Sequence, residues 1–256
     1  MRKVIYTCLV GGYDRLLQPV VVDRSFDYIC FSNDFCERQV GVWIIRKIPA
    51  IKDSNNVRLS RYPKLMPHKM LENYDVSIYI DANIQIVSKA FYATVNLRIN
   101  EGHLICQVPH PFRDCIYEDI RMVYRLRRGV SLMEARRQYT HLKENYFPSH
   151  YGLFENNIIL RRHNNKEVIR ISEEWWNEYM HYTQRDQFSL MYVYWKQNYM
   201  PSYLFDSEHN VRNTDSIVYI KHPQKLPFYL RNKSTYKWYM LFHSRIRLPL
   251  ALLFIR

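Results

Sequence analysis

Asp81, Ala82 and Asn83 interrupt an apolar run, YDVSIYIDANIQI, spanning residues 74–86. Ile78, Tyr79 and Ile80 favour a strand, and Ile84 and Ile86 resume the apolar character. Alternate residues of an extended chain share a side, so Asp81 and Asn83 project two oxygen-bearing groups together. At the carboxyl end of a strand in an open α/β sheet, that is where ligands bind. Two such oxygens suit a hard divalent cation, Mg²⁺ or Mn²⁺, that bridges the phosphates of a nucleotide. The plainer alternative is an Asx-type turn closing a strand.

Other residues offer complementary chemistry. In TCLVGGYDRLLQP, Gly11 and Gly12 let backbone amides approach a nucleotide, Tyr13 offers a ring to stack on a base, and Asp14 follows. RLSRYPKLMPHKML places Arg58, Arg61, Lys64, His68 and Lys69 just before the D-x-N strand, where cations neutralise a diphosphate or simply form a solvated basic face. VPHPFRDCIYED carries His110, Arg113 and Asp114 in a loop after a strand. GLFENNIILRRH sets Glu155, Asn156 and Asn157 at the entrance of an apolar strand. QRDQFSL holds Asp186 and Gln187 at a helix start, where Asp186 is either a cap or a working carboxylate.

The elements that must position these groups alternate. KVIYTCLV, FDYICFSND, GVWIIRKIP, VSIYIDANI and HLICQVPHP read as strands, and GLFENNIILRRHN as a strand pair. NVRLSRYPKLMPHKML has helical spacing broken by two prolines and predicts short helical pieces. Helices are expected around KAFYATVNLRIN, over YEDIRMVYRLRRG with Gly129 as C-cap, and over SLMEARRQYTHLKEN with a Ser131–Glu134 capping box. Two more are expected, SEEWWNEYMHYT capped by Ser172 and RDQFSLMYVYWKQN capped by Asp186. Strands alternating with helices predict an α/β sandwich with a mostly parallel central sheet flanked by helices.

With 256 residues, 47% apolar and 24% charged, the chain supports one substantial core and excludes wholesale disorder. Five scattered cysteines point to reduced thiols and a cytoplasmic setting. The basic start MRKVIYTCLV has too short an apolar stretch for a signal peptide and reads as a first strand. The net charge is +13, and residues 216–256 carry eight Lys or Arg with no Asp or Glu. The aromatic, basic end YKWYMLFHSRIRLPLALLFIR fits either peripheral contact with an anionic membrane surface or a helix docked on the core. No nucleic-acid motif accompanies these charges, so nucleic acid is not an expected partner. The organisation expected is one domain over residues 1–222 and an appended basic segment over 223–256.

The order of the segments is more specific than any one of them. GGYD after Val10, CFSND, KLMPH, IYIDANI, HPFRDCIYED, GLFENNIILRRHN, WWNEY and RDQFSLMYV together resemble a bacterial and plant family long catalogued as domain of unknown function 616, described as glycosyltransferase-like. The resemblance covers about residues 4–222. It implies a glycosyltransferase fold of the A type, and the layout is similar to that of family-8 glycosyltransferases. On that resemblance, Asp81 and Asn83 with His222 (His209 being a second candidate) hold Mg²⁺ or Mn²⁺. Gly11, Gly12, Tyr13, Asp14, Arg58, Lys64, His68, Ala82, His110, Arg113 and Asn156 line the donor site. Asp186, Gln187 and Glu155 stand near the reacting centre. The implied reaction moves a sugar from a nucleotide-diphosphate donor, UDP favoured, to a hydroxyl of a glycan or lipid-linked glycan. Asn83 replaces the second acid of the usual D-x-D. The competing class is a non-catalytic protein that binds anionic polymer or membrane through its basic end.

Overall fold

The computed structural model describes residues 1–52, 55–126, 128–206, 209–220 and 248–255. An eight-stranded sheet runs through the centre in the order β3-β4-β2-β1-β5-β8-β7-β9. Its strands are β1 (Lys3–Cys8), β2 (Phe26–Phe31), β3 (Gln39–Val40), β4 (Trp43–Arg46), β5 (Val76–Ile80), β7 (Ile105–Pro109), β8 (Phe154–Arg161) and β9 (Ser202–Tyr203). β1 pairs in parallel with both β2 and β5, and β4 extends the parallel set beside β2. β3 and β8 run against the rest. β6 (Ile84–Ile86) and β10 (Ile217–Tyr219) form a separate antiparallel pair.

The alternation of side chains along the strands divides the core in two. Val4, Tyr6 and Tyr79 pack into one cluster with α1 (Asn56–Leu65), α3 (Ile116–Arg125), α4 (Leu132–Glu144), α5 (Lys166–His181) and α6 (Leu190–Lys196). Ile5, Ile78 and Ile80 point to the other side, against α2 (Lys89–Asn100) and the β6–β10 pair. Both faces of the sheet are therefore covered, as the continuous burial of VSIYI in β5 requires. The expected α/β sandwich with a mostly parallel sheet flanked by helices is what the chain forms.

Several local expectations are corrected. GLFENNIIL is not a strand pair but one strand, β8, inserted antiparallel between β5 and β7. α5 begins at Lys166, capped by the Asn165 side chain, which accepts from the Glu167 amide; Ser172 is buried inside it. α3 ends at Arg125 with Leu126 as its C-cap, so Gly129, with φ +73°, belongs to the following turn. Asp186 opens a short 3₁₀ turn, Asp186–Phe188, and caps nothing. The two prolines cost less than expected: α1 continues through Pro63 and a 3₁₀ turn starts at Pro67. The Ser131–Glu134 capping box forms as the sequence predicts.

Of the C-terminal segment, residues 221–247 lie outside the described ones, and with them His222. The chain is described again at α7 (Leu248–Phe254), whose Leu248 and Ala251, together with Ile255, join the same core cluster as α1 and α3–α6. No described helix is long and apolar enough to cross a membrane.

Candidate active site

β5 ends where the sheet ends, and the chain turns at once. The Asp81 carbonyl accepts from the Ile84 amide at 2.9 Å, so D-A-N is a tight turn, and Ala82 serves as its small interior residue. Asp81 lies two residues beyond Tyr79 and shares its side, facing α1. The Tyr79 hydroxyl donates to Asp81 Oδ1 at 2.8 Å. Lys64, at the C-terminal end of α1, reaches the same oxygen at 3.6 Å and stands over the Tyr79 ring. Its ammonium also pairs with Asp186 Oδ2 at 2.6 Å, and Arg61, one turn earlier on α1, approaches Asp186 Oδ1 at 3.5 Å. Lys64 and Asp186 are both buried, while a third of the Asp81 side chain stays exposed.

Charge balance sets the protonation state here. Burial alone pushes the Asp186 carboxyl upward, but Lys64 and Arg61 outweigh it and hold the group well below the usual carboxylate range. Asp186 is thus a saturated anion, suited to orienting cations and substrate and ill-suited to taking a proton. Burial works to lower the Arg61 pKa, and Asp186 more than reverses this. Burial lowers the Arg185 pKa, with Asp186 and Asp119 opposing. Gln187 is a positioning residue, since its amide nitrogen donates to the Phe154 carbonyl at the start of β8.

β8 brings the second group of polar residues. Between Gln107 and Val108 of β7 the partner on β8 jumps from Ile159 to Glu155, so residues 156–158 form an irregularity. Such bulges re-aim side chains beside functional sites. The Asn157 carbonyl accepts from the Asp81 amide at 2.8 Å, and its side-chain amide donates to Glu155 Oε2 at 3.1 Å. Arg212 donates to the other Glu155 oxygen at 2.6 Å and lies over the rings of Phe112 and Tyr219. Burial raises the Glu155 pKa above the ordinary carboxylate value, partly offset by Arg212. Of the two carboxylates, Glu155 is the better placed to exchange a proton. Asn156 instead accepts from Gln107, whose carbonyl oxygen takes the Tyr194 hydroxyl, and so serves the strand junction rather than the site.

The HPFRD loop after β7 adds positive charge. A terminal nitrogen of Arg113 pairs with Asp119 at 2.8 Å and lies 3.2 Å from His110 Nε2, while His110 Nδ1 accepts from the Phe112 and Arg113 amides. Burial pushes the His110 pKa down to about 4; Asp119 opposes this, and Arg113 and Arg212 add to it. Beside the first residues of β8, His110, Arg113 and Asp114 border a cleft of ≈ 510 Å³, lined also by Tyr151, Phe154, Met200 and Tyr203.

The remaining expectations divide. Gly11 and Gly12 have φ of +75° and +59°, as an approach loop needs. A Cβ on Gly11 would meet Asn56 Nδ2 at 2.5 Å, and the Gly12 amide donates to Asp34. The loop thus docks on the start of α1, with Tyr13 largely exposed. Arg58 supplies the backbone amide that the Asn55 cap receives. His68 is not brought to the Asp81 group: it faces Glu173 of α5 at 3.5 Å, and burial lowers its pKa. His209 is held by Asp206. Arg185, Arg212, Asp119 and Asn157 complete the site; sequence reasoning places Asn157 only at the entrance of its strand and gives the other three no role. Asn157 lies two residues beyond Glu155 and Arg185 adjoins Asp186, which are legible signals; Arg212 sits in a loop with none.

The turn carries two hard oxygen donors for a divalent ion, although as a tight turn it does not hold Asp81 and Asn83 on one side as an extended chain would. The Asn83 amide nitrogen donates to the Ile220 carbonyl at 2.8 Å, leaving Asn83 Oδ1 buried and without a hydrogen-bond partner among the described residues. That orphaned oxygen and the Asp81 carboxylate are hard donors of the kind Mg²⁺ and Mn²⁺ prefer. His222 lies outside the described residues and adds nothing to this test.

Fold and site define an α/β domain with a polar, cation-rich cluster at the carboxyl edge of its parallel strands. Residues 32–213 match the model of the TOD1/MUCI70 glycosyltransferase-like domain, and the chain belongs to that family. No curated protein matches it. Among solved structures it is similar to apo mouse xyloside xylosyltransferase 1, with 8% identity over 78% of this chain and 84% of the other at a TM-score of 0.45. It is similar also to the apo glycosyltransferase GlyE of Streptococcus pneumoniae TIGR4, with 10% identity over 98% and 62% at 0.48. A third is the Mn/GDP form of core-mannan synthase A from Aspergillus fumigatus, with 8% identity over 75% and 69% at 0.43. These are distant likenesses of layout, and no residue role passes from them to this chain.

Proposed function

We propose that the protein transfers a sugar from a nucleotide-diphosphate donor, UDP-linked in the favoured case, to a hydroxyl of a glycan or lipid-linked glycan. The observation that carries this reading is Lys64, whose ammonium bridges Asp81 and Asp186 at the strand edge, with Arg61 beside it. Fixed cations in partly dry surroundings stabilise the charge that builds on a leaving diphosphate. Asp81 and Asn83 would hold Mg²⁺ or Mn²⁺, which when bound supplies Lewis-acid neutralisation of the same phosphates. Asp186 orients Lys64 and Arg61, and Glu155, released from Arg212, handles the acceptor proton. The cleft beside Phe154 and Tyr203 receives the acceptor.

Thermal melting with UDP, GDP, CMP and ADP, each with and without Mn²⁺, tests the reading, since a bound ligand raises apparent stability as ln(1 + [L]/Kd). A UDP-selective rise in Tm, lost in Asp81→Ala, is expected. Identical melting with every nucleotide would overturn it. A metal-independent rise would keep Lys64 as the main phosphate cation and remove the ion from the scheme.

The basic residues of 216–256 suit a lipid-linked acceptor at the cytoplasmic face of an anionic membrane, where surface polysaccharide is assembled. Co-sedimentation with phosphatidylserine vesicles should be salt-sensitive and weaken when Arg231, Lys233 and Lys237 become Gln; unchanged binding would end this part of the proposal.

A further inference from the structure

A second group of ligating side chains lies at the start of α3, apart from the Asp81 turn. Cys115 occupies the N-cap position of that helix, and its thiol makes no capping hydrogen bond. Glu118 stands in the first turn. The loop from Tyr146 to Gly152 folds over this end, fastened where the Gly152 amide donates to the Asp114 carbonyl at 2.9 Å. His150 occupies the left-handed region at φ +55°, a conformation uncommon for a residue with a Cβ. One ligand atom from each of Cys115, Glu118 and His150 lies within 4.8 Å of the other two.

A further contact bears on the His150 ring. His150 Nδ1 lies 2.8 Å from Asp114 Oδ1. With Nδ1–H donating to that carboxylate, Nε2 keeps its lone pair, which is how ligating imidazoles are usually oriented. The donor set decides the ion. A thiolate, an imidazole and a carboxylate suit Zn²⁺, whereas Mg²⁺ and Ca²⁺ select oxygen alone. Zn–ligand bonds of about 2.0–2.3 Å need ligand atoms roughly 3.3–3.8 Å apart, so the side chains must draw in by about 1 Å. Glu118 and His150 are exposed and able to move, while Cys115 is the buried anchor.

We propose that Cys115, Glu118 and His150 form a zinc site, oriented through Asp114, that staples the 146–152 loop to the N-terminus of α3. Binding releases the Cys115 thiol proton to solvent, and water completes the tetrahedron. Asp114, Tyr151 and Gly152 also line the ≈ 510 Å³ cleft, so the ion fixes one wall of it. This does not depend on the glycosyltransferase reading.

Cobalt(II) tests it as an optical surrogate for zinc. The full chain, stripped with chelator, should take up one equivalent of Co²⁺ with a thiolate-to-cobalt charge-transfer band that Zn²⁺ bleaches. Cys115→Ser should lose the band, and Asp81→Ala should keep it. His150→Asn tolerates the left-handed backbone, leaves an exposed surface, and should abolish tight binding without changing the melting of the metal-free chain. Asp114→Asn should weaken Zn²⁺ roughly 10–100-fold. Absence of the band, or its persistence in Cys115→Ser, would overturn the proposal, since a band without the buried Cys115 would come from the exposed thiol of Cys36.

Discussion

Lys64 is buried yet touches two carboxylates and the face of Tyr79, so its charge is compensated from three directions. Removing one partner of a buried pair leaves the other uncompensated, at a cost of about 3–5 kcal/mol. Asp186→Asn should therefore lower unfolding free energy by that order, measured by urea denaturation. Asp81→Asn should cost far less, because Asp81 is a third exposed and Asp186 still holds Lys64. Equal losses in the two variants would show that the bridge is not the asymmetric arrangement described. The same pairing explains why the residues alone leave Asp186 as either a helix cap or a working carboxylate. Its partners stand on α1, far away along the chain, and no spacing rule reports them.

At the scale of elements, α1 is the piece that aims the site. It carries Arg61 and Lys64, starts under the Asn55 cap, and lies at its first residue, Asn56, close beside Gly11. Gly11→Ala combines a strained positive φ with a Cβ 2.5 Å from Asn56 Nδ2. It should lower Tm by several degrees and weaken nucleotide binding, while Gly12→Ala, with open space around it, should lower Tm less and spare binding. Indistinguishable variants would mean that the loop does not set the pose of α1. β1, β2, β4, β5, β7, α2 and the α4 capping box are legible in the sequence because each is specified locally, by alternation, apolar period or cap chemistry. β8 is not, since insertion between β5 and β7 and the jump at Gln107–Val108 are choices made by partners distant in sequence. The Asp81 turn is legible for the same local reason as the strands. Asn156 and His68 fall outside the site because sequence proximity hides which side a bulged strand or a 3₁₀ turn presents.

For the whole molecule, acid is the natural stress. Burial holds His110 and His163 neutral down to about 4, and lowers His68 as well. An unfolded chain takes up these protons near the ordinary imidazole value of 6.5, so below it the unfolded state binds more protons than the folded one. Stability should then be full above about pH 6.5 and fall as pH drops toward 4, by on the order of 3 kcal/mol for each of the two most shifted rings. Glu155, whose pKa is raised, works in the opposite sense above its unfolded value of 4.5 and softens the slope. Asp186, held low, withdraws its contribution only below the ordinary carboxylate range. Denaturation midpoints between pH 4 and 7.5 should flatten in His163→Gln, and an unaltered slope would remove that ring from the account. The antiparallel seating of β8 has one more consequence, during synthesis. When β1, β2, β4 and β5 have left the ribosome, VSIYI presents an apolar, unpaired edge until residues 154–161 emerge. The nascent chain thus passes through an interval of adhesive half-sheet, in which a pause before β8 favours aggregation and a chaperone that shields edges favours yield.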